Sequence, residues 1–387
     1  MAPVRLDMDR IIDDRRTRII VCCGSGGVGK TTAAAAIGLR AAERGRRTCV
    51  LTVDPARRLA QSMGLTSLDN TPRQVDGVDT SGGGSLHAMM LDMKRTFDEI
   101  VEAHADPDRA AQILANPFYQ SLSSSFAGTQ EYMAMEKLGQ LRHADEWDLI
   151  VVDTPPSRSA LDFLDAPQRL GRFLDGRLIR VLTVPAKAGM SYMKVLNTGL
   201  SMMTGALTRI LGTQVLRDAQ TFVTALDTMF GGFRDRAEWT YRLLQAPGTA
   251  FLVIAAPEPD ALREASYFVE RLDTERMPLA GLILNRMHTS PAERLSAARS
   301  LAAAETLDMR DRPNGEPVAG PRYTIAAAAL RIHAERMHLG KRERRLAEHF
   351  TSAHPAIPVA EVGAQPEDVH DLDGLRVIGT MLAAQVA

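Results

Sequence analysis

Short, mostly apolar runs alternate along the chain with longer stretches of helical periodicity. The runs cover residues 19–23, 47–53, 86–92, 148–153, 249–255, 279–286 and 358–362. Runs that are apolar on both faces are typical of parallel strands with helices packed on either side. The pattern therefore predicts an α/β fold with a mostly parallel, helix-flanked sheet.

Helical spacing of apolar residues fills most of the intervals between these runs. The predicted helices are 32–44, 95–105, 108–126, 128–142, 261–272, 290–307, 324–349 and 374–384. Two intervals lack periodicity and are rich in Gly, Pro, Asp or Ser, namely 70–85 and 310–323, and we predict surface loops there.

Composition changes between residues 162 and 247, where helical periodicity continues without a convincing strand. This change predicts a core formed by 1–161 and 248–387, with 162–247 as an inserted helical subdomain. Methionines recur in the insertion, at positions 190, 193, 202, 203 and 229. They fill the core of the subdomain, which we favour, or form an adaptable groove for an apolar partner, and the pattern alone does not decide between the two.

The first apolar run ends in a glycine-rich loop, GSGGVGKTT at residues 24–32, which opens an alanine-rich helix. Glycines permit positive φ, so that successive backbone N–H groups converge on phosphate oxygens at a helix N-terminus. Lys30 would add a point charge, and the Thr31 hydroxyl would bind Mg²⁺. The predicted nucleotide contacts are Gly26, Gly27, Val28, Gly29, Lys30, Thr31 and Thr32. The alternative is a strand-to-helix turn that merely needs glycine.

Two carboxylates follow apolar runs. Asp54 and Asp153 would lie at the carboxyl ends of parallel strands beside the loop, where each could hold Mg²⁺ through water. Asp54 has an alternative role as a cap of the following turn. The proline-containing segment 154–161 leaves the strand where a γ-phosphate sensor would lie.

Asn285 ends a later strand. Its amide could recognise the amino group and ring nitrogen of adenine together, or could simply cap the following loop. A basic cluster, Lys341, Arg342, Arg344 and Arg345, is either an anionic contact or a solvated helix face.

The composition of the chain limits the classes of partner and the cellular location that we expect. The net charge of −1 gives no general reason to expect nucleic acid. No apolar run approaches the length of a membrane span, and residues 1–18 lack the apolar centre of a signal peptide, so we expect a cytoplasmic protein without stable membrane insertion. Cys22, Cys23 and Cys49 lie in or beside buried strands without metal-ligand spacing, so neither disulfides nor a zinc site are expected.

Taken together, the motifs resemble the ArsA-type ATPases, a deviant phosphate-loop family of arsenite-pump subunits and tail-anchored-protein-targeting factors, most of all its bacterial single-domain members. The resemblance rests on the loop at 24–32, Asp54-Pro-Ala, Asp153-Thr-Pro-Pro-Ser, Pro257-Glu-Pro and Asn285-Arg286. It implies ATP and Mg²⁺ as ligands, ATP hydrolysis, a dimer closing around two nucleotides, adenine-side positions at Asn285 and Arg286, and a client on the inserted helices.

Three positions depart from the family pattern. The signature lysine, which reaches the partner subunit's nucleotide, is Ser25 here, so a homodimer should hydrolyse ATP slowly. A lysine-bearing paralogue in a heterodimer would restore that contact only at this chain's site. Gln61 replaces a water-activating Asp of the tail-anchor members, and Gln can orient water without acting as a base. The switch histidine is replaced around Arg158 and Ser159, which puts the family's route to its client in doubt.

Two functions remain open. One is a dimeric ATP-driven switch with Lys30, Asp54, Gln61 and Asp153 as its catalytic residues and with an apolar or protein client. The other is a pseudo-ATPase that regulates a catalytic paralogue. A metalloid-pump subunit and an iron–sulfur reductase are disfavoured because three strand cysteines cannot bring thiolates together. A DNA partner lacks support from charge, and a membrane anchor lacks a basic amphipathic helix at the C-terminus.

Overall fold

A computed structural model describes residues 4–53, 58–117, 119–120, 129–155, 235–290, 292, 294–311 and 323–383 of the 387-residue chain. All structural statements below concern these residues. Asp54, Arg158 and Ser159 lie outside them, and so does most of the predicted insertion, including its methionines. Residues 235–245, at the end of the insertion, are helical as predicted.

Helices and strands alternate along the described chain. The strands are β1 Ile19–Cys23, β2 Arg47–Thr52, β3 Arg73–Gln74, β4 Ser85–Met90, β5 Leu149–Asp153, β6 Thr249–Ala255, β7 Leu279–Met287 and β8 Val359–Gly363. The helices are α1 Met8–Asp13, α2 Lys30–Glu43, α3 Arg58–Ser62, α4 Met93–His104, α5 Pro107–Ala115, α6 Thr129–Ala144, α7 Pro259–Thr274, α8 Ala297–Asp311, α9 Thr324–Ala353 and α10 Leu372–Ala383.

The strands form one sheet in the order β3-β4-β2-β5-β1-β6-β7-β8. Every pairing along it is parallel except that of the short β3 with β4. The sequence prediction of a mostly parallel, helix-flanked sheet is confirmed. Because β1 lies between β5 and β6, the loop that follows β1 meets the carboxyl ends of both neighbours.

Alternate side chains of each strand enter two cores, one on each face of the sheet. In β1, Ile19 and Val21 pack into one core and Ile20 into the other, and all three are fully buried or nearly so. Helices α4, α5, α6 and α7 cover the first face, and α1, α2, α3 and α10 the second. Burial on both faces explains why these strands are continuously apolar in sequence. None of the described helices combines the length and apolar content needed to cross a bilayer.

Three small elements escaped the sequence pattern, one of them the five-residue helix α3. Helix α1 has only six residues, held by Asp7, whose side chain accepts a hydrogen bond from the N–H of Arg10, and by the buried Met8 and Ile12. Strand β3 lies inside the predicted loop 70–85 and consists of two exposed residues. None of the three is long enough to display a helical or alternating period.

Arg46 fastens the segment after α1 to the sheet. Its side chain is 1% exposed, and it donates hydrogen bonds to the backbone carbonyls of Ile12, Thr17 and Asp148. Burial lowers its pKa to about 10, so the guanidinium remains charged at neutral pH. One buried cation therefore satisfies three carbonyl groups that are distant in sequence.

Replacing Arg46 with alanine should lower the free energy of unfolding by about 3 kcal/mol or more, because three buried carbonyls lose a charged donor. Chemical denaturation of the variant measures this change. Arg47→Ala is the matched control, since Arg47 makes an exposed ion pair with Asp148 at 3.0 Å and such pairs contribute little. Equal midpoints for the two variants would contradict the assignment.

Candidate functional site

The glycine loop leaves β1 in a conformation that requires glycine at three positions. Gly24 approaches β6 so closely that a Cβ atom would lie 2.1 Å from the Ile254 carbonyl oxygen. Gly27 and Gly29 have φ of +76° and +93°, values that are strongly unfavourable for residues with a Cβ atom. The loop ends at Gly29, the residue that precedes the first turn of α2. The conformation therefore matches that predicted for a phosphate-binding loop.

Helix α2 begins at Lys30 and is buried along most of its length. The first N–H groups of a helix have no acceptor within the helix and carry its positive dipole end, so they favour an anion. The ammonium of Lys30 lies back over the loop, where Nζ donates a hydrogen bond to the Ser25 carbonyl oxygen at 2.8 Å. The side chain is 6% exposed, which places a shielded positive charge beside the helix terminus.

Asp153 lies at the end of β5, fully buried, and meets two hydroxyl groups. Thr31 Oγ1 donates to Asp153 Oδ2 at 2.8 Å, and Thr52 Oγ1 donates to the same oxygen at 2.9 Å. Thr31 comes from the first turn of α2, and Thr52 is the residue of β2 paired with Asp153 in the sheet. The structure thus brings together Thr31 and Asp153, the two residues for which the sequence analysis proposes contact with Mg²⁺.

The pairing of Thr31 with Asp153 suits Mg²⁺ binding of the kind found in phosphate-loop enzymes. Mg²⁺ in such sites takes one hydroxyl, reaches carboxylates through water, and receives its remaining ligands from phosphate and solvent. In the part of the chain that the structure describes, no three His, Cys, Asp or Glu side chains form a metal cage. The hydroxyl and carboxylate oxygens of Thr31 and Asp153 are the hard donors that Mg²⁺ prefers.

The residue after Asp153 is also fixed. Thr154 is buried, and both its N–H and its hydroxyl donate to the Cys22 carbonyl oxygen of β1, at 3.2 and 2.9 Å. Val53 donates its N–H to the Asp153 carbonyl oxygen at 3.0 Å. The start of the predicted γ-phosphate loop is therefore anchored to the strands on both sides of β5, and residues 156–161 of that loop lie outside the described chain.

Asn285 lies against the phosphate loop. Its Nδ2 donates to the Val28 carbonyl oxygen at 2.8 Å, and its Oδ1 accepts a hydrogen bond from the N–H of Arg286 at 3.0 Å. Arg286 is exposed and adopts φ of +63°. The structure therefore places Asn285 beside the glycine loop, at the same end of the sheet as Lys30 and Thr31, and its amide contacts the loop backbone. We call this region, formed by residues 24–32, Asp153 and Asn285, the mouth.

The remaining predicted site residues lie around this mouth or outside the description. Gln61 is exposed on the short helix α3, whose buried Leu59 and Ala60 share a core with α2. Asp54, four positions before α3, is not among the described residues. Gly26 and Gly27 are exposed at the turn of the loop.

Burial makes the three cysteines poor nucleophiles and poor metal ligands. It raises the pKa of Cys23 and Cys49 to about 12. It also raises the pKa of Cys22 well above its usual value, with the charge of Asp153 adding to the effect. All three are free thiols. Because a soft metalloid requires thiolates, these residues do not supply a site for one.

Sequence reasoning missed Thr52, and it named Thr154 only as the first residue of the predicted γ-phosphate loop. Both are buried threonines at the ends of strands, and in sequence each resembles an ordinary β-forming residue. The available signal is position: Thr52 is paired with Asp153 in the sheet, and Thr154 directly follows Asp153 in sequence. A hydroxyl at such a place has a carboxylate or a strand carbonyl within reach.

The comparison with protein families agrees with this geometry. The model of the family described as anion-transporting ATPase matches residues 17–309, a span that includes the loop, Asp153 and Asn285. The chain belongs to the anion-transporting ATPase family. The resemblance to the ArsA-type ATPases is thereby confirmed, and the family's general activity is ATP hydrolysis.

Relatives within this group are distant. The chain is 29% identical over 167 residues to an ATPase GET3 from Malassezia globosa, covering 43% of this chain and 47% of that protein. It is 22% identical to an ATPase get3 from Pyrenophora tritici-repentis over 78% of this chain and 83% of that protein. An ATPase ARSA2 from Chlamydomonas reinhardtii is 24% identical, with 72% and 70% covered. With the first of these, the match spans about half of the relative's length.

Proposed function

We propose that this protein is a Mg²⁺-dependent ATPase that acts as a dimeric nucleotide switch. The observation that carries the proposal is the contact of Thr31 Oγ1 with Asp153 Oδ2 at the foot of the glycine loop. In this family a hydroxyl of the loop and a carboxylate at the end of a neighbouring strand flank the metal of a metal–triphosphate complex. A strand-to-helix turn that needed only glycine would have no use for this pair.

Each residue of the mouth has a defined part. The backbone N–H groups of residues 26–32 would bind the β- and γ-phosphate oxygens, and Lys30 would exchange its contact with the Ser25 carbonyl for a phosphate oxygen. Thr31 and Asp153 would hold Mg²⁺, directly and through water. The metal supplies charge neutralisation on the phosphates when bound. Burial of Lys30 and Asp153 strengthens both interactions because water does not screen them.

Hydrolysis also requires a positioned water molecule. We assign Asp54 to the metal side and Gln61 to orientation of the attacking water. Gln61 carries no charge at neutral pH, so it can donate and accept hydrogen bonds but cannot remove a proton. Slow turnover is the consequence, and it suits a switch whose bound state has to persist.

Family membership supports the proposed switch. ATP binding would close two subunits around their nucleotides, with Asn285 and Arg286 on the adenine side, and closure would reshape residues 162–247 for an apolar segment or a protein client. Hydrolysis would reopen the dimer. The partner subunit is either a second copy or a paralogue with the signature lysine.

The metal assignment predicts the behaviour of Asp153→Asn. Calorimetry should show that Mg²⁺ no longer strengthens ATP binding, with an affinity loss of at least about tenfold because a charge-assisted contact of roughly 1.5 to 3 kcal/mol is removed. Asp148→Asn is the control, since Asp148 lies just before β5 at its opposite end and pairs with Arg47. A variant that binds Mg²⁺-ATP like wild type, or a wild type without ATP uptake, would refute the proposal.

Ser25 supports a second candidate, a nucleotide-binding regulatory subunit with little activity of its own. The Ser25 hydroxyl is buried without a hydrogen-bond partner, so it supplies no charge or donor in place of the signature lysine. Such a subunit would bind ATP through the same mouth while a paralogue performs hydrolysis. The Ser25→Lys experiment described in the Discussion separates the two functions.

A further inference from the structure

We infer that Asn285 is a positioning residue for the phosphate loop, separate from any contact it makes with adenine. The inference rests on the proposed function, because the loop matters only if it binds phosphate. The motivating contact joins two segments far apart in sequence, Asn285 Nδ2 to the Val28 carbonyl oxygen at 2.8 Å. This is a contact with the loop backbone on the phosphate side of the site.

The contact orients one peptide unit of the loop. A trans peptide is planar, so its C=O and N–H groups point in opposite directions. Since the Val28 carbonyl is held toward Asn285, the N–H of Gly29 points away from Asn285. That N–H belongs to the set predicted to bind phosphate. Asn285 therefore fixes the direction of a phosphate-binding donor without touching the phosphate.

Gly29 and Asn285 fit each other closely. A Cβ atom at position 29 would lie 2.2 Å from Asn285 Nδ2, a distance that real atoms do not adopt. The positive φ of Gly29, +93°, excludes most side chains independently. Glycine at this position thus serves two purposes, since it permits the turn into α2 and leaves room for the amide.

Asn285 is itself held in one orientation. Its Oδ1 accepts the N–H of Arg286 at 3.0 Å, so the amide nitrogen is the end that faces the loop. Arg286 adopts the left-handed region, which is unfavourable for a side-chain-bearing residue and persists only where the surroundings enforce it. The backbone turn and the amide orientation depend on each other.

The segment beyond Arg286 is anchored to α9. The backbone N–H and the Nδ1 of His288 each contact a carboxylate oxygen of Glu343 at 2.7 Å, and Glu343 is buried. Gly340 of the same helix lies so near that a Cβ atom there would be 2.5 Å from the His288 carbonyl oxygen. Asn285 therefore projects from a rigid end of β7, which is what a residue that sets loop geometry requires.

Hydrogen exchange without nucleotide tests the loop contact directly. In Asn285→Ala and Asn285→Asp, the amides of residues 28–32 should exchange faster than in wild type. The Asp variant retains an acceptor for Arg286 but has no donor for Val28. Gln365→Ala is the matched control, because Gln365 Nε2 donates to the Gly363 carbonyl at 2.9 Å, away from the loop. Unchanged exchange in both Asn285 variants would overturn the inference.

Binding of inorganic triphosphate, which has no base, separates positioning from adenine recognition. Asn285→Ala should weaken Mg²⁺-triphosphate and Mg²⁺-ATP binding alike, by about three- to tenfold for the loss of one hydrogen bond, and Gln365→Ala should weaken neither. Weaker ATP binding with unchanged triphosphate binding would show a base contact alone and overturn the inference. If wild type binds ATP but not triphosphate, the hydrogen-exchange result alone decides whether Asn285 positions the loop. If wild type does not bind ATP, the proposed function itself fails.

Discussion

ATP turnover by the Lys30→Ala variant should fall by about 10²- to 10³-fold relative to wild type, because the variant lacks the buried cation that we propose stabilises charge on the transferred phosphoryl group. Lys30 is suited to this role since its ammonium already lies over the loop, bound to the Ser25 carbonyl. Phosphate release from purified protein with Mg²⁺-ATP, measured with and without a candidate paralogue, gives the turnover. Thermal denaturation of the same samples establishes that the variant is folded.

Lys341→Ala provides the control for the loss of one positive charge. Lys341 is exposed on α9 and is outside the predicted mouth, so its removal should leave turnover within about twofold of wild type. Equal turnover in wild type and Lys30→Ala would show that the measured activity is a contaminant or that the loop does not act on phosphate. Either result would end the enzyme proposal.

Ser25→Lys should raise turnover by about 10³-fold or more, the size of effect that a charge supplied in trans has in related phosphoryl-transfer enzymes. The signature lysine of the family acts across the dimer, so the gain should depend on protein concentration. Steady-state turnover measured over a range of protein concentrations gives both quantities. A large gain would favour the regulatory-subunit function for the natural chain, because it would show that one missing charge limits the reaction.

Ser25→Met is the matched variant for this experiment, with a long side chain and no charge. It should leave turnover near the wild-type value. A comparable rise in both variants would show that bulk at position 25, and not charge, changes the rate. If the wild-type protein already turns over ATP well and Ser25→Lys does not raise this turnover, the regulatory function is excluded. Hydrolysis would then use a different charge.

The sequence was sufficient for the architecture because the strands carry their own signal. β1, β5 and β6 are buried at every position, so each is a mostly apolar run that ends at, or within two residues of, a Gly, an Asp or a Pro. Elements without such burial were harder to predict. The two exposed residues of β3 pair with β4 only through backbone groups, and side-chain patterns contain no information about such a pairing.

Part of the site could likewise be predicted from residue type and position. The loop pattern predicts a metal-binding role for Thr31, and the end of an apolar strand beside the loop predicts one for Asp153; the structure brings the two side chains together. Thr52 was missed because a threonine at the end of a buried strand is also an ordinary strand residue. The contact of Asn285 with Val28 could not be predicted from the sequence, because it joins residues 257 positions apart through a backbone carbonyl.

The central position of β1 has a consequence for synthesis of the protein. Residues 19–23 are made before both of their partner strands, β5 and β6, and Cys23 Sγ contacts the Leu252 carbonyl, 229 positions later. A nascent chain on the ribosome can therefore pair β1 with β5 first, but the other edge of this apolar strand stays unpaired until β6 has emerged. Pairings of such long range are slow to form and leave hydrophobic surface exposed meanwhile. Productive folding should thus depend on chaperones that shield this strand, and nascent chains that end before β6 should not retain nucleotide.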